Sequence, residues 1–333
     1  MAPPPTGRPT TVTGVTVRLT VNRAAWRQHV QSTATSYGAA LVPVVKGNGY
    51  GFGRPVLHDA VRELAITPVC VGSVHELVDV PHDLEPVVLT PTLTPPERSA
   101  VLTVGSISHV GALQGWRGSV MVKLASSMQR YGVTPAGLPE LVDAVRRAGL
   151  GLLAFALHLP LAGDDLERRA EIEAWLPHLP PTTPIWVSHL APEVFHAVAA
   201  DHPERPFRIR VGTALWHGIP RGEFVHLGAE VVQTRPARAG DLAGYHRSRV
   251  PFDGTLVSIG AGVAAGIALL QSDDPARRSP FHFARTRLHL LEPPHMHTSI
   301  AVVPTGAPCP VVGDLVDVQR PLLATTPDEL VWL

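Results

Sequence analysis

Short apolar runs rich in β-branched residues recur through the first two-thirds of the chain. Eight of them are typical of buried strands: LVPVVK at 41–46, PVCVG at 68–72, PVVLT at 86–90, SISHV at 106–110, VMVKL at 120–124, LLAFALHL at 152–159, IWVSHL at 185–190 and FRIRVG at 207–212. Amphipathic segments lie between several of these runs, as in PAGLPELVDAVRRAG at 135–149. Alternating buried strands and helices predict parallel βα units, and eight units fit a closed (β/α)8 barrel of the TIM type. A doubly wound open sheet is the alternative, although no Gly-rich dinucleotide fingerprint follows any run.

The pattern changes at about residue 225. Strand-like pieces then follow one another with little helical periodicity, namely AEVVQTRPA at 229–237, GTLVSIGA at 254–261, TRLHLLE at 286–292, TSIAVVP at 298–304 and DLVDVQRP at 314–321. The chain is therefore predicted to be an α/β protein with a barrel domain over 15–224 and a mostly-β domain over 225–333. The alternating segment VTVRLTVN at 15–22 predicts a strand that pairs with the second domain.

Composition excludes several classes of protein. Lys and Arg together number 28, as do Asp and Glu, so a nucleic-acid binder that depends on phosphate contacts is not expected. The longest apolar stretches, such as 259–270, are too short to cross a bilayer, so no membrane partner is predicted. Residues 1–14 lack an apolar core and are predicted to be a disordered leader. Two cysteines, Cys70 and Cys309, give no disulfide framework, and a cytoplasmic protein is predicted.

The basic residues are unevenly divided, with 26 arginines and two lysines, Lys46 and Lys123. Arginine is not deprotonated in proteins and cannot form an imine, so it replaces lysine only where a positive charge suffices. Lys46 ends the first barrel run and precedes GNGYGFG, a loop whose glycines permit close backbone approach. A lysine in that place is able to form a Schiff base with a carbonyl cofactor, of which pyridoxal 5'-phosphate is the usual one.

The segment VVKGNGYGFG at 44–53 resembles the cofactor-attachment motif of alanine racemases, which are two-domain, fold-type III pyridoxal-phosphate enzymes. Further segments are similar to that family in the same order: VKLASSMQRYGV at 122–133, AFALHLP at 154–160, IWVSHLA at 185–191 and RVGTALWHG at 210–218. The similarity spans roughly residues 15–320. It implies a racemase-type isomerase that acts on the α-carbon of a small amino acid.

The resemblance implies a set of cofactor-binding residues, namely Lys46, Tyr50, His158, Ser188, His189, Arg210, Gly212 and Thr213. In the family pattern, the residue at Lys46 attaches the cofactor and moves the α-proton on one face. The residue at His158 stacks on the cofactor ring. Phosphate is bound by Tyr50, by Ser188 or His189, and by the backbone at 212–213.

Two further barrel residues match functional positions of the family. Arg210 would lie beside the pyridine nitrogen and keep it unprotonated, because two adjacent positive charges are costly. Lys123 matches a lysine that is carbamylated in many relatives, where the resulting carboxylate orients the catalytic arginine represented by Arg130. An ordinary ion pair between a buried lysine and a carboxylate is the alternative for Lys123.

The sequence departs from the family pattern on the substrate side. The family's second base is a tyrosine, which the β domain of the partner subunit contributes in a homodimer, and Ala261 stands in its place. An acidic residue of the next motif is replaced by His297, within His295-Met296-His297, and an aspartate after Lys123 is replaced by Ala125. His297, with His295 as the alternative, is the candidate substitute base because the imidazole pKa suits proton transfer.

Three functions remain open from the sequence. The first is a divergent amino-acid racemase with a different or missing second base. The second is a pyridoxal-phosphate-dependent lyase acting on D-amino acids, in which His295, His297 and Cys309 hold a metal, although surface histidines are the favoured interpretation of that spacing. The third is a non-catalytic, cofactor-binding or regulatory scaffold.

Overall fold

The computed structural model describes residues 16–333, which fall into two compact units. One unit is Arg23–Phe224, and the other joins the residues before Arg23 to Val225–Leu333. The predicted leader at 1–14 lies outside the described residues. None of the helices in the described part of the chain is long and apolar enough to span a membrane.

The larger unit alternates short strands with helices. After β1 (Val17–Val21), which belongs to the other unit, its strands are β2 (Leu41–Pro43), β3 (Pro68–Val71), β4 (Glu85–Val88), β5 (Leu102–Val104), β6 (Ser119–Lys123), β7 (Gly151–Ala156), β8 (Ile185–Ser188) and β9 (Phe207–Val211). Its α-helices are α1 (Arg23–Tyr37), α2 (Arg54–Glu63), α3 (Ile107–Ala112), α4 (Leu138–Arg147), α5 (Asp165–Trp175), α6 (Pro192–Asp201) and α7 (Thr213–Trp216). All the pairings among strands β2 to β9 are parallel.

These eight strands close into a ring. Six form one sheet in the order β2-β9-β8-β7-β6-β5, and β3 pairs with β4. Single bridges from Val44 to Cys70 and from Val87 to Val101 join the two sets. Small and β-branched side chains fill the interior, together with Met121 and Trp186. The predicted (β/α)8 barrel is therefore confirmed, and the open-sheet alternative is wrong.

One predicted strand is wrong. Residues 106–110 lie at the start of helix α3, and the strand of that βα unit is Leu102–Val104. The side-chain oxygen of Ser106 accepts a hydrogen bond from the amide of His109 and caps the helix. Ser106 thus begins a helix although Ile107 and Val110 are β-branched, because its side chain satisfies a backbone donor at the start of the helix.

The second unit is mostly β. Its strands after β1 are β10 (Val225–Ala237), β11 (Leu242–Ala243), β12 (Ser248–Arg249), β13 (Gly254–Ile259), β14 (Phe281–Phe283), β15 (Thr286–Arg287), β16 (His289–Leu290), β17 (Ser299–Pro304), β18 (Leu315–Val318) and β19 (Glu329–Trp332). Strand β10 is the central element and pairs antiparallel with β1, β13 and β18. Strand β1 also pairs parallel with β19, so both ends of the described chain lie in this unit.

Candidate active site

The loop after β2 carries Lys46 and has an unusual backbone. Gly47, Gly49, Tyr50 and Gly51 all have positive φ angles between 57° and 90°. A Cβ built on Gly49 would overlap the backbone nitrogen of Arg54, so glycine is required there. Tyr50 tolerates its φ of 57° inside a short 3₁₀ turn, Gly49–Gly51. The sequence GNGYGFG thus folds into a tight loop at the carboxyl end of a barrel strand.

Lys46 is accessible to solvent yet flanked by protein and by positive charge. Partial desolvation lowers the pKa of its amine, and the positive charges of Arg130 and then Arg210 lower it further, while Glu76 acts in the opposite direction. The Glu76 carboxylate accepts a hydrogen bond from the amide of Gly47 at 3.1 Å and so holds the loop. A lysine with a lowered pKa offers more of the neutral amine, which is the nucleophilic form.

Arg210 lies inside the barrel with 7% of its surface exposed. Its Nη2 donates to the carbonyl oxygen of Leu157 at 2.7 Å, and its Nε donates to that of Val187 at 3.4 Å. Burial lowers the pKa of this guanidinium, although arginine stays charged. Backbone carbonyls of neighbouring strands therefore hold a fixed positive charge at the carboxyl ends of β7, β8 and β9.

Lys123 ends β6 and is 4% exposed. Its Nζ donates to the carbonyl oxygens of Leu124 at 3.2 Å and Ala156 at 3.4 Å, and no carboxylate of the described residues lies within ion-pair distance. Burial lowers its pKa to about 7, with further lowering from Arg210 and Arg130. The described residues therefore do not contain the carboxylate that the ion-pair alternative for Lys123 requires. A partly neutral amine is instead present at neutral pH.

Two histidines and a serine lie at the ends of neighbouring strands β7 and β8. The Ser188 hydroxyl lies 2.9 Å from Nδ1 of His158 and also accepts from the amide of Leu159 at 3.2 Å. The rings of His158 and His189 meet edge to face with centroids 4.9 Å apart. Burial, followed by the charge of Arg210, lowers the pKa of His158 to about 2 and that of His189 to about 4. Both imidazoles are therefore neutral at physiological pH.

Tyr50 and Gly212 lie against each other at the start of α7. Tyr50 is buried, and its hydroxyl occupies the space that a Cβ on Gly212 would fill. Burial raises the pKa of the Tyr50 phenol, so it remains an O–H donor. The first amides of α7, including that of Thr213, have no acceptor within their own helix. This corner of the barrel mouth combines a phenol with the first backbone N–H groups of a helix, which suits an anionic group.

Arg130 lies in the loop after β6 and is exposed. Its guanidinium carbon is 4.7 Å from the ring centroid of Tyr131, and the Tyr131 hydroxyl donates to the carbonyl oxygen of Leu89 at 3.3 Å. The charge of Arg130 lowers the pKa of both Lys46 and Lys123. Arg130 therefore acts electrostatically on both lysines that the sequence analysis identified in the barrel.

The residues predicted in the second unit form no such group. Ala261 is 1% exposed, and its carbonyl oxygen accepts from the Ser299 hydroxyl at 2.7 Å. His295 is paired with the buried carboxylate of Glu292, whereas His297 is exposed and makes no hydrogen bond or ion pair with residues 16–333. No group of three metal-binding side chains is present in the described part of the chain, so the lyase alternative, in which His295, His297 and Cys309 hold a metal, gains no support.

Sequence reasoning missed two residues that hold the site. His217 lies 2.7 Å, through Nε2, from the carbonyl oxygen of Tyr50 and so supports the strained turn. Glu76 binds the amides of Gly47 and, at 2.7 Å, of Gly72. A glycine followed four residues later by glutamate, after the second barrel strand, was the available signal for Glu76.

Residues 21–216 match the family model for the alanine racemase N-terminal domain. A curated alanine racemase of Mycolicibacterium vanbaalenii is 28% identical over 269 residues, which cover 69% of this chain and 67% of that protein. The fold is similar to solved structures of alanine racemases. That of Bartonella henselae, with covalently bound pyridoxal phosphate, matches with a TM-score of 0.72 and 19% identity over 96% of this chain and 99% of that one. The biosynthetic enzyme of Pseudomonas aeruginosa matches with a TM-score of 0.72 and 16% identity, over 96% and 99%.

Proposed function

The chain belongs to the alanine racemase N-terminal domain family, and we propose that it binds pyridoxal 5'-phosphate through Lys46 and moves the α-proton of a small amino acid. The observation that supports the proposal is an accessible lysine, Lys46, at the carboxyl end of a barrel strand, whose pKa is lowered first by burial and then by the positive charges of Arg130 and Arg210. A lowered pKa favours the neutral, nucleophilic form of this amine.

The residues at the barrel mouth fit this cofactor. The Tyr50 phenol and the amides at 212–213 offer donors for a phosphate, and the glycine at 212 keeps the phenol close to the backbone. The neutral ring of His158, fixed through Ser188, offers a flat surface at the carboxyl end of β7. Arg210 offers a donor to a ring nitrogen without giving up its proton. Ser188 or His189 would complete the phosphate contacts.

When bound, pyridoxal phosphate supplies an electron sink that acidifies the α-hydrogen of an amino acid. The chain contributes the groups that handle that hydrogen. Nζ of Lys46 accepts the proton on one face, and its lowered pKa favours the free base that is needed for this step. Arg130 pairs with the substrate carboxylate, since a guanidinium matches a carboxylate geometrically. Carbamylated Lys123 would supply a negative charge that orients Arg130, and its pKa of about 7 favours the neutral amine that carbamylation requires.

The second face of the α-carbon has no assigned base within the barrel unit. In the proposed racemase, a homodimer brings the β unit of a partner subunit to the site, and His297 takes the role of the missing tyrosine. A cytoplasmic location remains a prediction. A non-catalytic, pyridoxal-phosphate-binding scaffold is the second candidate function, and Ala261 is the observation that favours it because a methyl group transfers no proton.

Cofactor attachment is tested by absorbance. The protein loaded with pyridoxal phosphate should absorb between the near ultraviolet and the visible, and Lys46→Ala should abolish that band. Lys123→Met is the matched control because it removes the other lysine of the chain. Retention of the band in Lys46→Ala would overturn the assignment.

Catalysis is tested by isotope exchange in deuterated water. A racemase converts L-Ala or L-Ser to the D-enantiomer with solvent deuterium at the α-carbon. Exchange without inversion would indicate a single working base. A loaded protein that neither exchanges nor inverts any amino acid of a panel would favour the scaffold.

A further inference from the structure

The loop between β6 and α4 is the segment that presents Arg130. We call residues 124–133 the Arg130 loop. Its ends are closed by two backbone hydrogen bonds of 2.8 Å, from Ala125 to the carbonyl oxygen of Val133 and from Val133 to that of Lys123. The residues between these ends belong to no strand or helix, so their position depends on their contacts with neighbouring elements.

Helix α5 supplies those contacts from one face. The Glu171 carboxylate accepts from the amide of Ser127 at 2.7 Å and from the Ser127 hydroxyl at 2.8 Å. One turn later, Nε1 of Trp175 donates to the carbonyl oxygen of Ala125 at 2.9 Å. Residues four apart lie on the same side of a helix, so Glu171 and Trp175 hold the loop together.

The Arg130 loop has no acidic residue of its own. Its sequence, LASSMQRYGV, contains alanine at 125, where the family carries aspartate. The carboxylate that accepts hydrogen bonds from this loop therefore belongs to Glu171, on helix α5. A carboxylate that accepts two hydrogen bonds from one residue fixes both position and orientation, because charge-assisted hydrogen bonds are short and strong.

Helix α5 also makes hydrogen bonds to the loops after β7 and β8. Arg168 donates to the carbonyl oxygens of Pro160 at 3.0 Å and Leu161 at 2.7 Å, next to His158. Asp165 accepts from the amide of Ala191 at 3.1 Å, next to His189. Helix α5 is thus bonded to the loops after β6, β7 and β8, each of which carries a predicted site residue.

We propose that Glu171 is a positioning residue, whose carboxylate fixes the Arg130 loop and thereby holds the guanidinium of Arg130 near Lys46. The inference extends the proposed function, in which Arg130 pairs with the substrate carboxylate. The contacts between Glu171 and Ser127, however, are formed by the protein itself and do not depend on a bound cofactor. Glu171 acts through Ser127 and need not touch the reacting atoms.

The first test measures whether Glu171 restrains the loop. Trypsin cleaves after Arg130, and mass spectrometry follows that one peptide bond in the folded protein. Glu171→Ala should speed cleavage there by about tenfold, and Glu171→Gln should do so less, because an amide retains one acceptor. Glu63→Gln is the matched control, since Glu63 forms an exposed ion pair with Arg27 on other helices. Equal cleavage in Glu171→Ala and wild type would overturn the proposal.

The second test measures where the charge of Arg130 lies. The chain has two lysines and Lys123 is buried, so acylation by acetic anhydride at varied pH reports the pKa of Lys46 when the modified peptide is quantified. The groups acting on that amine are Arg130, Arg210, Glu76 and Cys70. If Glu171→Ala lets Arg130 move away, the pKa of Lys46 rises, as it should in Arg130→Ala. Simple removal of a negative charge would lower it, so the direction distinguishes positioning from direct electrostatics.

A third measurement separates the proposal from the function on which it rests. In a loaded protein that exchanges α-protons, Glu171→Ala should raise KM at least as much as it lowers kcat, with the cofactor band unchanged. Wild type without any cofactor band would remove the proposed function, while the cleavage and acylation tests would still decide the role of Glu171. An unchanged acylation profile in Glu171→Ala would overturn the positioning role regardless of activity.

Discussion

The side chains at the barrel mouth differ in burial and hydrogen bonding from those of the β unit around Ala261 and His297. At the mouth, Arg210 and Lys123 are buried and donate to backbone carbonyls of neighbouring strands. In the β unit, Ala261 is a small buried residue and His297 is an exposed histidine without a polar partner among residues 16–333. Fixed geometry is what cofactor binding needs, so the chain has retained the means to hold a cofactor more clearly than the means to complete a second proton transfer.

The two histidines of the β unit show the same difference on a smaller scale. His295 pairs with Glu292, whose carboxylate also accepts from the amide of Tyr245 at 2.7 Å and from the Ser248 hydroxyl at 3.1 Å. These hydrogen bonds connect the β11–β12 hairpin to the segment that contains Glu292 and His295. His295 therefore has a structural role. Among residues 16–333, His297 has no hydrogen bond or ion pair, and its side chain is exposed.

The largest effect should come from the buried amine at the barrel mouth. The pKa of Lys123 is about 7 in the folded protein against 10.5 ordinarily, so the unfolded chain binds more protons between these values. Stability should therefore rise with pH from about 7 to 10.5. Lys123→Met should lose this rise and be more stable at pH 7 by several kcal/mol, because it removes the buried charge.

Urea unfolding of both proteins at pH 7 and pH 10, in bicarbonate-free buffer, measures this effect of Lys123. If the unfolding free energies of wild type and Lys123→Met changed equally between pH 7 and pH 10, Lys123 would be solvated in the folded state. Its amine would then resemble the exposed His297 of the β unit in being open to water.

A second substitution tests the close packing of the mouth. Gly212→Val places a branched side chain where the Tyr50 hydroxyl lies, and overpacking of this kind costs about 1–3 kcal/mol. Affinity for pyridoxal phosphate, measured by absorbance titration, should fall by about tenfold or more. Gly111→Ala in helix α3 is the control, because a Cβ there meets no atom within 4 Å. Equal cofactor affinity in wild type and Gly212→Val would argue against phosphate binding at this corner.

In the β unit, an equally buried carboxylate should affect stability alone. Glu292→Gln weakens the pairing with His295 and the hydrogen bonds to the hairpin, which should cost about 1–3 kcal/mol in chemical unfolding. The cofactor band should not change. A spectral change in this variant would show that the β unit takes part in holding the cofactor and would weaken the contrast between the two regions.

The sequence predicts the barrel better than it predicts the partners within the site. Periodicity identifies seven of the eight strands, and the failure at 106–110 comes from the capping hydroxyl of Ser106, a local hydrogen bond that hydrophobicity does not register. Lys46 and Lys123 are identifiable because arginine cannot replace their chemistry. Glu171 was not, because a glutamate on an amphipathic helix looks like any solvated residue until the fold brings Ser127 to it.

The smallest structural effect, and the most informative functional one, should come from His297→Ala. The side chain is exposed and without polar partners among the described residues, so its removal should change unfolding free energy by less than about 0.5 kcal/mol. If His297 replaces the tyrosine as second base, the variant should keep the cofactor band and α-deuterium exchange on one face while losing inversion. His295→Ala, which breaks the pair with Glu292, controls for general damage to this segment and should lose stability first. Inversion that survives in His297→Ala would exclude this histidine as the second base.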